Sequence, residues 1–363
     1  MASSAKNHEF REQLETQGIR TAIIEMNHSS FDQFLLHEQF ELCVFDRFMV
    51  EEQFGARVAS ALPRCLRILD TIDLHFLRRT RELNLKGKLG QGELDEETCT
   101  RELASIYRSD LTLVLSRYEV DLLVQEFGVP SQLLAEWGFM YAIPEAETLP
   151  TAEGRKHFAW IGNFRHPPNE DAVRFCLKEF LPRHWAEIRA AYPDLEIHFY
   201  GAYPPKELMA LDQPKKGIRV LGPCDDSIKT LKKYRALFAP IRYGAGIKGK
   251  ISDSWAAGLP VITTDIGAEG MSAPGEPFAG LLVKTEIDMQ KALIRLAADD
   301  TEFNALQTEG LRALTELYGE SLQIHRLREW IQKLTERPRP WIQKILWHQH
   351  HRSTDFFSRW IEE

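Results

Sequence analysis

Residues 242–271 read RYGAGIKGKISDSWAAGLPVITTDIGAEGM and follow a short apolar stretch that ends at Pro240. Gly244, Gly246 and Gly249 let the backbone approach a ligand closely, and Lys248–Ala257 has the pattern of a helix ended by Gly258 and Pro260. A helix N-terminus presents unpaired N–H groups and partial positive charge, and Arg242, Lys248 and Lys250 add full charges on the same loop. The outline is a cradle for a diphosphate, whose charge grows as its bond to carbon breaks. Glycine and lysine alone fit a solvated turn equally well. The order matches neither GxGxxG nor GxxxxGK[ST], so the common dinucleotide and P-loop fingerprints are not met.

Outward from this loop, apolar runs of strand length alternate with longer helical stretches, the pattern of parallel sheets. Strands are expected upstream at Phe158–Gly162, Glu196–Gly201, Ile218–Leu221 and Ala236–Pro240, and downstream at Val261–Thr264 and Gly280–Val283. Three helical segments run from Ile287 to about Glu336, Pro338 and Pro340 break the chain, and a last helix spans Trp341–Ile361. An earlier series has strands at Arg20–Glu25, Leu42–Phe45, Leu66–Asp70 and Leu111–Ser116. Ile143–Arg155, rich in proline and acidic residues, has neither period and reads as a linker. Two open α/β sheets place a ligand between them, outside the carboxyl ends of their strands.

The composition agrees with this class. A chain of 363 residues, 44% hydrophobic and 27% charged, is long enough for two domains. With 45 basic and 53 acidic residues the net charge is −8, which argues against nucleic acid as a partner and confines useful cations to local clusters. The polar start MASSAKNHEFREQ lacks a signal-peptide core and no apolar run spans a membrane, so the expected compartment is the cytosol. The five cysteines, Cys43, Cys65, Cys99, Cys176 and Cys224, have no metal spacing and read as reduced thiols. The tail histidines His348, His350 and His351 read as a solvated face, with no metal.

The run Asp253–Val261, DSWAAGLPV, preceded by GAGIKGK, resembles the donor-binding region of family 4-type glycosyltransferases (group 1) of the GT-B fold. FAWIGNFRHPPN at 158–169, Leu221-Gly222 and Tyr234–Pro240 resemble further strands and turns of that nucleotide domain. The likeness covers Phe158 to about Arg328, and more loosely Phe45 to Trp137. It implies two Rossmann-like domains facing a cleft: residues 1–145 on the acceptor side, 156–337 binding a nucleotide sugar, and 338–363 as a helix crossing back to the first domain. It also implies transfer from a UDP-, GDP- or ADP-sugar to a glycan, lipid or small-molecule acceptor, with retention and without an essential metal or cofactor.

Carried over by position, Asp253 stands where the family has a glutamate that accepts hydrogen bonds from the donor ribose. The glutamate usual eight residues earlier is replaced by Ala245, and the common arginine after Gly162 by Asn163, which leaves Arg165 as a candidate for the phosphates. Glu269 is a candidate to face the sugar. On the other side Asp70, Asp73 and His75 follow an apolar strand. There His75 would position sugar or acceptor, or shuttle a proton near neutral pH, with Asp73 beside it; helix capping and packing are the alternative reading. Ser116 reads as a helix cap and Gly138 as a structural turn.

In similar enzymes a strand and glycine-rich loop open the chain, whereas Lys6–Gln17 reads here as a helix with no strand before it. That difference keeps open a non-catalytic sugar-nucleotide-binding protein, with a sugar-nucleotide epimerase as a third reading. The apolar stripe of the tail (Trp341, Ile345, Phe356, Phe357, Trp360) is expected to pack on the first domain, with peripheral membrane contact as the alternative.

Overall fold

The computed structural model describes residues 1–4, 8–90, 92–336, 339–348 and 360. Four parallel strands, β3 (Leu42–Asp46), β4 (Leu66–Asp70), β5 (Leu111–Val114) and β6 (Leu134–Glu136), lie side by side in chain order. Helices Phe48–Ala61, His75–Leu85, Glu96–Arg108 and Arg117–Gln125 supply the crossovers. The second sheet holds β7 (Phe158–Ile161), β8 (Ile197–Tyr200), β9 (Ile218–Gly222), β10 (Ala236–Ala239), β11 (Val261–Thr263) and β12 (Leu281–Leu282) in the order β12-β11-β10-β7-β8-β9, all parallel. These are the two α/β domains expected of the GT-B fold.

The apolar runs are strands because both faces of the second sheet are covered. Along β7, Phe158 and Trp160 enter one buried cluster with Phe199 and Phe238, while Ala159 and Ile161 enter another with Leu237, Trp255 and Val261. Strand order reverses between β7 and β10, so the loops leaving these two neighbours diverge and open a crevice at their carboxyl ends.

The chain begins with a short strand β1 (Ala2–Ser3), a helix His8–Thr16 and a strand β2 (Ala22–Ile23) parallel to β1. This corrects the expectation that no strand precedes the first helix. Two residues bonded only through their backbones carry no hydrophobic signal, and the pair is not hydrogen-bonded to the four-stranded sheet.

The expected linker is packed rather than loose. Leu149 and Ala152 are buried, and the Arg155 guanidinium donates to the carbonyls of Pro150, Tyr234, Ala257 and Gly258. The chain crosses between domains twice, side by side: Tyr141 N donates to Tyr318 O, and Glu320 N to Tyr141 O. The return starts upstream of residue 338, because helix Glu320–Glu336 sets Trp330 and Leu334 against Ile68, Leu111 and Leu113. Helical residues 341–348 continue it: Trp347 packs on Ala56 and Ala59, and the side-chain amide of Gln343 and the Trp347 indole both donate to Arg108 O. Trp341 and Ile345 do not join this packing, since they stand on the outward side at 77% and 54% exposure. Phe356 and Phe357 lie outside the described residues. No helix among the described residues is long and apolar enough to cross a membrane.

Candidate functional site

A cavity of about 310 Å³ opens at the reversal point between β7 and β10. Its walls come from the turn after β7 (Gly162, His166, Asn169), the loop after β10 and the first turn of helix Gly249–Ala256. Gly258, in the left-handed region at φ +62°, closes that helix as its sequence implies. Ile251 N donates to Lys248 O at the helix start, and Gly249 and Lys250, the first two residues of the helix, line the cavity, so a helix N-terminus with its partial positive charge borders the crevice.

Lys248 and Lys250 both line the cavity. Lys248 is buried, and its Nζ donates to Gly246 O at 2.6 Å. Lys250 Nζ donates to Asn169 Oδ1 and lies 4.7 Å from the centre of the Trp160 ring. Among the described residues neither ammonium has a carboxylate within ion-pair distance. Burial lowers the pKa of Lys248 to about 8, with Glu269 and Glu119 pulling it back up from a distance. Burial also lowers Lys250 to about 7, and Lys248 pushes it in the same direction. Two crowded cations without counter-charges are a receptor for an anion.

Asp253 also lines the cavity. Its Oδ1 accepts from Tyr141 Oη at 2.6 Å and its Oδ2 from Ser227 Oγ at 2.7 Å, which fixes the carboxylate at one end of the pocket. Tyr141 sits on a crossing segment and Ser227 after β9, and nothing local in sequence announces either partnership. Gly162 is required at the other end: a Cβ there would lie 2.8 Å from Asn169 Nδ2 and 2.9 Å from the Trp160 ring. Asn163 holds the turn, accepting from Arg165 N through Oδ1 and from Asn169 Nδ2 through its carbonyl.

Besides Asn163 and Gly246, which do not line the cavity, three expected charged residues are held by other partners. Arg242 forms a two-pronged pair with Asp171 at 2.9 and 2.5 Å and stacks over Phe175. Arg165 stacks on the Tyr203 ring at 3.6 Å. Glu269 receives both ends of the Arg81 guanidinium at 2.7 and 2.8 Å. In each case a partner far along the chain outcompetes the pocket, and none of the three lines it.

The Arg81–Glu269 pair spans the domains, and Arg81 also donates to Gly244 O. Beside it the glycine loop is pinned to the first domain. Gly246 N donates to Glu119 Oε1 at 2.8 Å, and Ala245 enters the first domain's core. Gly246 adopts φ +65° and a Cβ would lie 2.8 Å from Asp73 Cβ, so glycine serves both the turn and the close approach. Burial raises Glu119 to about 7 although the amides of Gly246 and Leu74 oppose it.

Asp73 and His75 come together under this loop. Asp73 pairs with Arg78, and its Oδ1 lies 3.3 Å from His75 Nε2 without a well-directed donor. His75 is the first residue of helix His75–Leu85 and packs edge-on against Phe48. Burial lowers its pKa to about 4, so the imidazole is neutral at pH 7. Glu102 accepts from the amides of His75 and Phe76, and burial raises it to about 8. Ser116 caps the helix after β5 by accepting from Glu119 N, as expected. Gly138 leaves room for the Tyr318 ring, 2.8 Å from where its Cβ would stand.

Residues 155–299 match the family model described as Glycosyl transferases group 1. No curated protein matches the chain by sequence. Among solved structures the chain is similar to Anabaena HepE in complex with UDP and glucose, at 12% identity and TM-score 0.64, covering 91% of this chain and 90% of that one. It is also similar to S. aureus TarM bound to UDP, at 13% identity and TM-score 0.57, covering 75% of this chain. A third is the pneumococcal O-GlcNAc transferase GtfA with UDP and GlcNAc, at 13% identity and TM-score 0.60, covering 85% of this chain. The chain spans 51% of the TarM chain and 60% of the GtfA chain.

Proposed function

We propose that this GT-B chain, whose residues 155–299 form a group 1 glycosyltransferase domain, is a glycosyltransferase that uses a nucleoside-diphosphate sugar. The observation that carries the reading is the pair Lys248 and Lys250, lining the crevice beside a helix N-terminus without carboxylate partners.

The diphosphate would sit on the amides that begin helix Gly249–Ala256, with Lys248 and Lys250 neutralising the charge that develops as the sugar leaves. Asp253 would accept from the ribose hydroxyls while Tyr141 and Ser227 keep it in place. Gly162 and Gly249 give the phosphates room. Gly246 acts indirectly by pinning the loop to Glu119. Asn163 shapes the turn, and Arg165, Arg242 and Glu269 support the surrounding frame. The acceptor, a glycan, lipid or small molecule, would enter from the first domain. There Asp73 and His75 form a buried pair beneath the glycine loop, and we assign them a part in holding that loop toward the acceptor.

We also propose net retention and a reaction without an essential metal, readings that the likeness to the family supports. The working compartment we propose is the cytoplasm. The exposed Trp341 and Ile345 offer a surface for peripheral membrane contact.

The test is a thermal-shift screen across UDP-, GDP- and ADP-sugars, followed by assay of nucleoside-diphosphate release with acceptor extracts. One base class should raise Tm and support acceptor-dependent release. Binding without release under every acceptor would leave a binding module, and no shift with any nucleotide sugar would overturn the reading.

A further inference from the structure

Cys43 and Cys65 lie at the opposite end of the first domain from the crevice, where β3 and β4 begin. In the register of these strands Cys43 pairs with Arg67, so Cys65, two residues earlier, is its diagonal neighbour on the same face. Their sulfurs are 3.4 Å apart. All five cysteines are free thiols, and among the described residues no group of metal-ligating side chains accompanies this pair. Cys65 is buried at 2% exposure beneath a groove of about 970 Å³ lined also by Arg64, Asp110 and Arg339, whereas Cys43 is half-buried. A small disulfide reagent therefore reaches the pair at Cys43.

We propose that Cys43 and Cys65 form a reversible disulfide, making this edge of the sheet a site of thiol–disulfide modification. Exposure puts Cys43 first in reach of the reagent, and the electrostatics favour Cys65 as the thiolate that resolves the mixed disulfide. The hydrogen bond shared with Cys43, with Arg67 and Arg339 nearby, lowers its pKa, whereas that of Cys43 is raised. With a low-molecular-weight disulfide such as oxidised glutathione as oxidant, the Cys43 thiolate attacks one glutathione sulfur and expels the other glutathione as thiolate. The Cys65 thiolate then attacks Cys43 Sγ, forming the protein disulfide and expelling the second glutathione. The protein loses two protons and two electrons, and one glutathione disulfide becomes two thiols.

The bond would tie the start of β3 to the seat of the returning C-terminal segment, because Arg339 donates to Cys65 O and Pro63 O and pairs with Asp110.

The full chain, equilibrated with oxidised glutathione, quenched in acid, alkylated in denaturant and digested, should yield a linked pair of peptides containing Cys43 and Cys65. Cys99, Cys176 and Cys224 should be alkylated, and excess reduced glutathione should restore both thiols. Cys65→Ser should instead accumulate glutathione on Cys43. Wild-type chain in which both cysteines remain alkylatable, carry stable glutathione adducts, or bridge to another cysteine would overturn the proposal.

Discussion

Because Lys248 and Lys250 are held partly deprotonated by burial, binding an anion between them must draw protons from solution. At pH 8 Lys250, with a pKa of about 7, is mostly neutral, and Lys248, at about 8, is half neutral. A diphosphate beside them restores both to the charged state, taking up roughly 0.9 of a proton at Lys250 and roughly 0.5 at Lys248. A nucleoside-diphosphate sugar is the right probe, since its diphosphate diester does not itself titrate near neutrality. Calorimetry at pH 8 in buffers of different ionisation enthalpy should therefore show an uptake of about 1.4 protons, and affinity should fall about 25-fold per pH unit around that value. Lys250→Met should reduce the uptake to about half a proton while weakening binding. Tight binding with the same enthalpy in every buffer, or affinity flat between pH 7 and 9, would refute the assignment of these lysines to the diphosphate.

Asp253→Ala removes the acceptor of two hydroxyls as well as the ribose contact; it should cost about 1–3 kcal/mol in unfolding experiments and abolish nucleotide-dependent thermal stabilisation. Gly246→Ala places a side chain at φ +65° against Asp73 and should destabilise by about 2 kcal/mol or more, with raised hydrogen exchange along 244–248. Arg81→Ala removes the two-pronged pair with Glu269 and should loosen the domains, read as a larger radius of gyration by small-angle scattering. Glu102 has a folded pKa near 8, raised above its unfolded range. It therefore binds a proton more readily when folded, and stability attributable to it is full in acid and lost as pH rises through that window. Tm should decline between pH 5 and 8, and Glu102→Gln should flatten the decline.

β7, β10 and β11, buried on both faces, leave apolar runs that local sequence cannot hide, and β8 and β9 alternate buried with half-buried residues, which is why β7 through β11 fall within a residue or so of expectation. The glycine loop and its helix were equally legible, because φ at Gly246 and Gly258 and the helix start are local properties. What sequence did not disclose was pairing over distance. Arg242 sits on the right loop, yet Asp171, one helix away across the sheet, holds its guanidinium. Glu269 is drawn to Arg81 in the other domain, and Asp253 owes its orientation to Tyr141 and Ser227. The Cys43–Cys65 contact belongs to the same class, since it follows from strand register. β6 escaped notice because its three residues, Leu134–Glu136, are too few to show a period.

A crystal structure with a nucleoside diphosphate bound tests the central claim most directly. The β-phosphate should accept from the amides at the start of helix Gly249–Ala256, with Lys250 Nζ turned from Asn169 toward the phosphate and Asp253 against the ribose. A diphosphate bound elsewhere, with Lys250 still on Asn169 and the cavity empty, would contradict it.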